Sequence, residues 1–502
     1  MKKSILTLGV LLAGFALVQA QTIEDVLRYS MEDIKGTARY HGMAGAFGAL
    51  GGDLSALNVN PAGSSVFSED QFTVTGNYFD IQNDVITSNN ALQTNPFNRV
   101  DLNQAGAVFL YRSNGPWKKL AFAINYDQVQ DFDNQFRSTD SSAEGIDNYF
   151  LNFANGVPFG DLLLRNGELL EEGYLNVGRD LGFGSQQAFL GYFGGIIDPT
   201  DDTNEAGTTY VSNAQYSTVN QDFLQTTNGY NSRLTLNASG QFEDVLHVGA
   251  SLNIHSIFYE KRTLFTESGY DAGSAIQFAE FDNFLRTQGS GFSFSLGAIA
   301  RLGDVLRIGG SFQSPTWYRL TDDTAQAINS DLADQDIRFI NFNVLNLFDE
   351  HRIKTPSILT GSAALVFGKQ GLISFDYSVQ DFATAELRPN TDPSFASENQ
   401  LIADQLGVSQ TFRLGGEWRF DRVSLRGGYR LQESPYESSN WIGDTETYSG
   451  GIGFSFEDSR VDLAVSQSSQ ELNSFFFDSG STNSAFIDRQ QTNVVLTYTL
   501  KF

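Results

Sequence analysis

The chain contains no cysteine, which excludes thiol nucleophiles, disulfide staples and thiolate metal sites. It is poor in positive charge: 32 Lys and Arg against 59 Asp and Glu give a formal net charge of −27. That balance excludes the basic footprint of a nucleic-acid binder. Histidine is scarce as well, with only His41, His247, His255 and His351. His247 and His255 fall eight residues apart on one expected strand, about 26 Å at ~3.3 Å per residue, too far to share a metal. No HExxH or GxSxG frame is present, so no catalytic residue, metal site or cofactor is expected. After the N-terminus, no stretch approaches the ~18–20 consecutive apolar residues of a transmembrane helix.

What is present begins with a leader. Lys2 and Lys3 precede an apolar run from Ile5 to Val18, and Val18-Gln19-Ala20 supplies a small-residue cleavage site. Residues 1–20 read as a secretory signal peptide, so the mature chain is exported. Glycine (48) and phenylalanine (42) are abundant, as in Gly-rich turns and aromatic short strands.

Period-two alternation then dominates. In 489-RQQTNVVLTYTLKF-502, Val494, Leu496, Tyr498, Leu500 and Phe502 share one face, and the other is mostly polar. Fourteen such segments are expected near 70–80, 102–112, 118–130, 229–242, 245–262, 289–302, 305–320, 350–368, 371–386, 409–420, 422–433, 446–456, 460–470 and 490–502. The connections alternate strictly between short and long. Short turns such as 302-LGD-304 and 420-FDR-422 face long loops such as 131–228 and 263–288. An outer-membrane barrel accounts for that asymmetry, with short periplasmic turns, long external loops and an even strand number. The polar face carries Arg307, Asp376, Arg413, Glu417, Arg426 and Arg430, too charged for a packed core. The expected fold is therefore all-β, a 14-stranded antiparallel transmembrane barrel over residues 70–502, with both termini periplasmic. Short amphipathic helices are expected in the external loops within 143–174, 185–197 and 272–288, the last placing Phe278, Phe281 and Leu285 at helical spacing.

About fifty mature residues, 21–69, precede the first strand. They open with a possible helix, 23-IEDVLRYSMEDI-34, and continue through 36-GTARYHGMAGAFGALGGDLSALNVNPAGSSVF-67. Small residues allow close packing inside a lumen, and Asn60-Pro61 is a turn signal. The segment reads as a plug. From Gly36 to Phe67 it resembles the N-terminal hatch of the FadL type of outer-membrane transporters for long-chain fatty acids and aromatic hydrocarbons. The matching residues are Gly36-Thr37-Ala38-Arg39, Gly42, Gly45-Ala46, Gly51-Gly52-Asp53, Ser55-Ala56 and Asn60-Pro61-Ala62-Gly63.

The resemblance implies fourteen strands and a terminal aromatic, Phe502, read by the barrel-assembly machinery. It also implies a hydrophobic ligand caught on the external loops, passed to a tighter site over the hatch, and released sideways at a kink in the third strand. That strand, 119-KLAFAINYDQVQDF-132, has no Gly or Pro to announce a kink. For an anionic ligand, Arg413 and Arg430 are the expected upper basic pair; the alternative is that the lumen arginines pair with Glu417, Asp376 and hatch acids such as Asp53. Phe278, Phe281 and Leu285 are the expected apolar contacts. Uptake of a hydrophobic small molecule is the leading reading. A plugged structural or adhesive barrel and an outer-membrane lipid hydrolase are the alternatives. Expected partners are outer-membrane lipid, the ligand and the assembly machinery, for a monomer without nucleic acid.

Overall fold

The structure is a computed structural model that describes residues 22–87, 91–332, 346–347, 350–391, 393–438, 441–477 and 484–502. The expected signal peptide, 1–20, lies outside the described residues.

Fourteen antiparallel wall strands follow one another around a closed barrel. They are β1 (Gln71–Ile86), β2 (Leu92–Arg112), β3 (Trp117–Asp131, resuming as Asn134–Ser142), β4 (Val219–Phe242), β5 (Leu246–Ser268) and β6 (Phe278–Leu302). β7 is Leu306–Gln313 resuming as Trp317–Ser330, and β8 is His351–Lys354 followed by Ile358–Phe367. Then come β9 (Gly371–Asp381), β10 (Val408–Phe420), β11 (Val423–Gln432), β12 (Thr445–Ser455), β13 (Ser459–Phe475) and β14 (Ser484–Lys501). β14 pairs with β1 from Gln71↔Lys501 to Ile86↔Phe486 and closes the ring.

Alternation sorts the two faces. On β14, Asn493, Val495, Thr497 and Thr499 are buried, whereas Leu496, Tyr498 and Leu500 are exposed. Phe122, Ile124, Leu236, Leu252, Phe294, Leu296, Leu414, Leu425 and Ile452 are exposed in the same way. A continuous apolar exterior around a charged interior is the surface of a lipid-facing barrel, the one sheet that leaves no unpaired edge in a bilayer.

Several strands outrun their expected lengths. β1, β2, β5, β6 and β13 continue into segments expected as loops. Residues 272–288 are the clearest correction. No helix forms there; Phe278, Phe281 and Leu285 lie on β6, paired with β5 on one side and β7 on the other. Two flanking strands override a helical spacing of three apolar residues.

Above the wall, α3 (Ile146–Ala154), α4 (Leu170–Leu181) and α5 (Phe183–Phe193) form a cap around an aromatic core of Tyr149, Phe150, Phe189, Phe223, Phe265, Phe281, Phe476 and Phe477. A further helix, α6 (Pro393–Gln405), sits between β9 and β10, and two shorter ones, α1 (Ile23–Ser30) and α2 (Ala38–Gly42), precede the wall.

Candidate functional site

Residues 31–67 fill the lumen. Asn60 organises the turn that ends this plug. Its side-chain oxygen accepts from Ala62 N at 3.1 Å, capping a 3-10 helix, Pro61–Val66. Proline suits that first position, where its missing N–H is not needed. The Asn60 amide nitrogen donates to Gly48 O at 2.8 Å and to Ala298 O of β6 at 3.0 Å. Gly51, at φ +62°, approaches Gly63 so closely that a Cβ on it would lie 2.8 Å from Gly63 Cα. The Asn60-Pro61-Ala62-Gly63 stretch thus folds the plug on itself and ties it to the wall.

The wall makes room with glycines that the sequence did not single out. A Cβ on Gly249 would sit 2.4 Å from Pro61 O, one on Gly309 2.4 Å from Gly48 O, and one on Gly428 2.4 Å from Met43 C. Their signal was present: each lies on the polar, inward face of an alternating strand.

Ionic contacts fasten the plug. Glu417 of β10 accepts from Arg39 Nε of the plug at 2.9 Å, from Arg426 Nε at 2.7 Å and from Arg419. Arg426 also reaches Asp462 at 2.9 Å. Asp376 accepts from Phe47 N and Gly48 N, both at 2.9 Å. Removing one member of such a buried group costs ~3–5 kcal/mol. Arg233 pairs with Asp127 at 2.9 Å and with plug residue Glu32 at 3.4 Å, and Arg307 holds Leu50 O at 3.1 Å. Carboxylate pairing therefore holds for Arg426 with Glu417 and for Arg233 with Asp127 and Glu32, whereas Arg307 meets a plug carbonyl, Asp376 takes plug N–H groups and Asp53 bonds Thr37.

Arg413 and Arg430 differ. They face each other directly across β10 and β11. Arg413 donates to Ser378 Oγ at 2.8 Å, and Arg430 to Gln432 Oε1 at 2.7 Å and Glu32 O at 3.1 Å. Neither has a carboxylate within ion-pair distance among the described residues. Both line a cavity of about 50 Å³ against the plug, with Glu32, Asp33, Lys35 and Tyr40 of the plug and Thr360 of the wall.

Over that cavity lies α1 (Ile23–Ser30), the first described helix. Val26, Leu27 and Tyr29 pack into an apolar section of the lumen among Tyr259, Tyr318, Leu320, Phe382, Ile402 and Leu406. Burying Val26 and Leu27 contributes ~3–6 kcal/mol. The described chain therefore starts inside the barrel, toward the long loops and against α6, not at the short-turn rim where both ends were expected. Phe502 does sit at that rim, its N–H donating to Asp70 O at 3.1 Å.

Nearer the mouth, Tyr149, Phe183, Leu285, Phe476 and Phe477 line a pocket of about 130 Å³ between cap and wall. Of the three expected apolar contacts, Leu285 lines this pocket, Phe281 is fully buried in the adjoining core, and Phe278 points outward, 37% exposed.

The wall has a window beside the plug. β2 pairs with β3 only from Gln104↔Asp127 to Arg112↔Lys119. Val129 is an extra residue against β4, where Gln128↔Ser232 is followed by Gln130↔Asn231. Residues 127–130 are all buried, so alternation stops there. A β-bulge bends the strand without Gly or Pro, so the irregularity is there although no residue type announces it. Above the bulge, side chains replace the ladder: Gln93 bonds Thr139 N and O, and Asn95 bonds Arg137 N and O. Asp33 N of the plug donates to Val129 O at 3.3 Å. His247 meets Ser65 at 2.8 Å, His255 meets Tyr318 at 3.2 Å and His351 Nδ1 lies 3.7 Å from Asp322 Oδ2.

No protein-family model matches the sequence, and no curated protein sequence does. Solved structures match over nearly the whole chain. A FadL homologue from Pseudomonas aeruginosa aligns at 11% identity and a TM-score of 0.53, covering 94% of this chain and 100% of the other. The toluene transporter TodX of Pseudomonas putida aligns at 12% identity and a TM-score of 0.50, covering 94% and 100%. The plugged fourteen-strand barrel described above is the fold of the FadL-type channels.

Proposed function

We propose that this chain is an outer-membrane channel, not an enzyme, that takes up a hydrophobic small molecule past an N-terminal hatch. The observation that carries the reading is a graded lumen. A pocket rich in aromatic side chains, at Tyr149, Phe183, Leu285, Phe476 and Phe477, shares Leu285 with the apolar section held by α1, and the Arg413–Arg430 couple, without an ion-pair partner among the described residues, lines a small cavity against the plug. The two compared structures are described as a FadL homologue and a toluene transporter, which supports the same class. Ligand descends from the cap, displaces α1 from the apolar section and leaves through the window between β2 and β3, because the plug blocks the axial route. An acidic ligand places its carboxylate on Arg413 and Arg430, since a buried anion needs a charged partner and arginine offers a planar fork.

The test compares a long-chain fatty acid with the matching uncharged alcohol, binding to purified wild type and to Arg413→Ala/Arg430→Ala. The acid should lose at least tenfold in affinity while the alcohol is unchanged. Equal loss of both, or of neither, removes the carboxylate role and leaves a neutral hydrocarbon as cargo. Failure of either molecule to bind wild type removes uptake itself and favours a plugged structural barrel.

A further inference from the structure

The outer wall carries charge in rows, and one row is unlike its neighbours. On the outward face of β5, β6 and β7, Glu260 pairs with Arg286 and Arg286 with Asp323, so the signs alternate from strand to strand. Arg286 reaches Asp323 at 3.1 Å. Arg137 and Arg262, also exposed, are held by Asp222 and Asp282. The adjoining row breaks this pattern. Arg319 of β7 pairs directly with Arg352 of β8, and Arg352 with Arg388 of the short strand Glu386–Arg388. Their chain neighbours Tyr318, Leu320, Ile353 and Leu387 are buried in the apolar section of the lumen, so the three arginines point outward. Like charges directly opposite one another destabilise a sheet.

We propose that Arg319, Arg352 and Arg388 bind the phosphate group of an anionic lipid in the outer leaflet. Pairing within the protein leaves room for it. Arg388 meets Glu386 at 2.6 Å, Lys354 lies 3.5 Å from the same carboxylate, and Arg352 lies 3.9 Å from Glu350. Arg319 has no ion-pair partner among the described residues. The patch therefore keeps an excess of two positive charges on a chain whose net charge is −27. Adjacent strands stand ~4.8 Å apart, so the row spans ~10 Å, within reach of one headgroup. Guanidinium forks match phosphate oxygens in pairs, which a point charge does not.

Position agrees. On the same face, nearer the short turns, Trp317 stacks on Phe292 with ring centroids 5.0 Å apart, and Leu359 is exposed. Rings so placed mark a membrane interface. At ~3.3 Å per residue and ~40° tilt, the rise from Leu306, at a short turn, to Arg319 is roughly 30 Å, just beyond an apolar band ~25 Å tall. A molecule with acyl chains against Leu359 and Phe292 presents its headgroup to the arginine row. That combination selects a lipid over free phosphate, which has no use for the apolar surface below. The inference rests on the membrane reading of the wall and not on uptake.

The experiment counts lipid on the intact protein in a neutral detergent by native mass spectrometry. The probes are dioleoyl phosphatidic acid, dioleoyl phosphatidylcholine and inorganic phosphate. Wild type should hold phosphatidic acid roughly fivefold or more tightly than phosphatidylcholine. Arg319→Gln/Arg352→Gln should lose that preference, whereas Arg137→Gln/Arg262→Gln, whose arginines are already paired, should keep it. No preference in wild type, or equal loss in both variants, overturns the proposal. Inorganic phosphate at the same concentration should leave the lipid bound; displacement overturns the lipid assignment. In detergent without lipid, Arg352→Gln should unfold at the wild-type temperature or higher, because it relieves opposed charges, and a lower Tm overturns the repulsive row. None of these readings uses transported ligand, so their failure is distinct from failure of the uptake assay.

Discussion

Among the described residues, two breaks in the wall strands are built oppositely. β7 breaks at Ser314-Pro315-Thr316 and β8 at Thr355-Pro356-Ser357, side by side. Proline cannot donate to a ladder, yet this seam is closed. Thr355 N donates to Thr316 O at 3.0 Å, Thr316 N to Thr355 Oγ1 at 2.8 Å, and Phe294 N to Ser314 Oγ at 3.0 Å. At β3 no proline intervenes, but Val129 bulges, acids face Asp101 across the gap, and side chains in place of backbone join the strands, Arg99 to Asp133 and, higher up, Gln93 to Thr139 and Asn95 to Arg137. A break is sealed or open according to what replaces the lost backbone bonds, not according to what caused it.

The largest effect should come from bridging the gaps chemically. The chain has no native cysteine, so Arg99→Cys/Asp133→Cys can be joined by a flexible bismaleimide without background. Uptake of the hydrophobic ligand should fall at least tenfold, whereas the same bridge between Thr316→Cys and Thr355→Cys should leave it unchanged. Equal inhibition by both bridges would erase the distinction between window and seam.

Deleting Val129 should convert the open break toward the closed kind. It restores continuous register with β4, so β3 can extend its pairing to β2. Amide exchange in residues 97–103 should slow and uptake should drop several-fold; unchanged exchange would place the cause of the opening elsewhere.

The converse change loosens the seam. Ser314→Ala/Thr355→Val leaves Phe294 N and Thr316 N without side-chain acceptors, at ~1–3 kcal/mol each if they remain buried. Exchange at those two amides should accelerate by roughly tenfold or more per 1.4 kcal/mol, with uptake unaffected.

The smallest effect is a pH dependence at the head of β3. Its resumed half leads into α3, whose first N–H, Ile146 N, donates to Glu267 at 3.1 Å. Burial pushes the Glu267 carboxyl up to about 7, against hydrogen bonds from Tyr270, Gln221 and Ile146 that pull it down. A raised folded value means the protonated form is preferred in the folded state. Its contribution is complete below the ordinary carboxyl range near 4.5 and is lost as pH rises through about 7. Protection of residues 146–154 relative to intrinsic exchange should therefore fall between pH 5 and 8, flatten in Glu267→Gln, and stay constant at the seam.

Sequence made the barrel legible because fourteen alternating segments with one-sided turn lengths have few other solutions. The inward placement of Arg413 beside Arg430 follows from the same alternation and a short turn at Asp421. The window was not legible, since a bulge at Val129 is a matter of register between strands and leaves no residue-type mark. Phe278, Phe281 and Leu285 misled for a related reason: spacing along one segment says nothing of the partners that β5 and β7 supply. The lodging of α1 in the upper lumen was hidden because an amphipathic helix does not state which apolar surface it will meet.

The plug touches the ring on every side: Pro61 meets β5, Asn60 meets β6, Phe47 meets β9, Arg39 meets β10, and Ala38 N reaches Thr497 of β14. It also precedes every wall strand in the chain. A segment so enclosed has no passage inward once the β1–β14 edge has zipped. The barrel must therefore be wrapped around its own N-terminus, with the plug serving as the mould on which the last strands are laid.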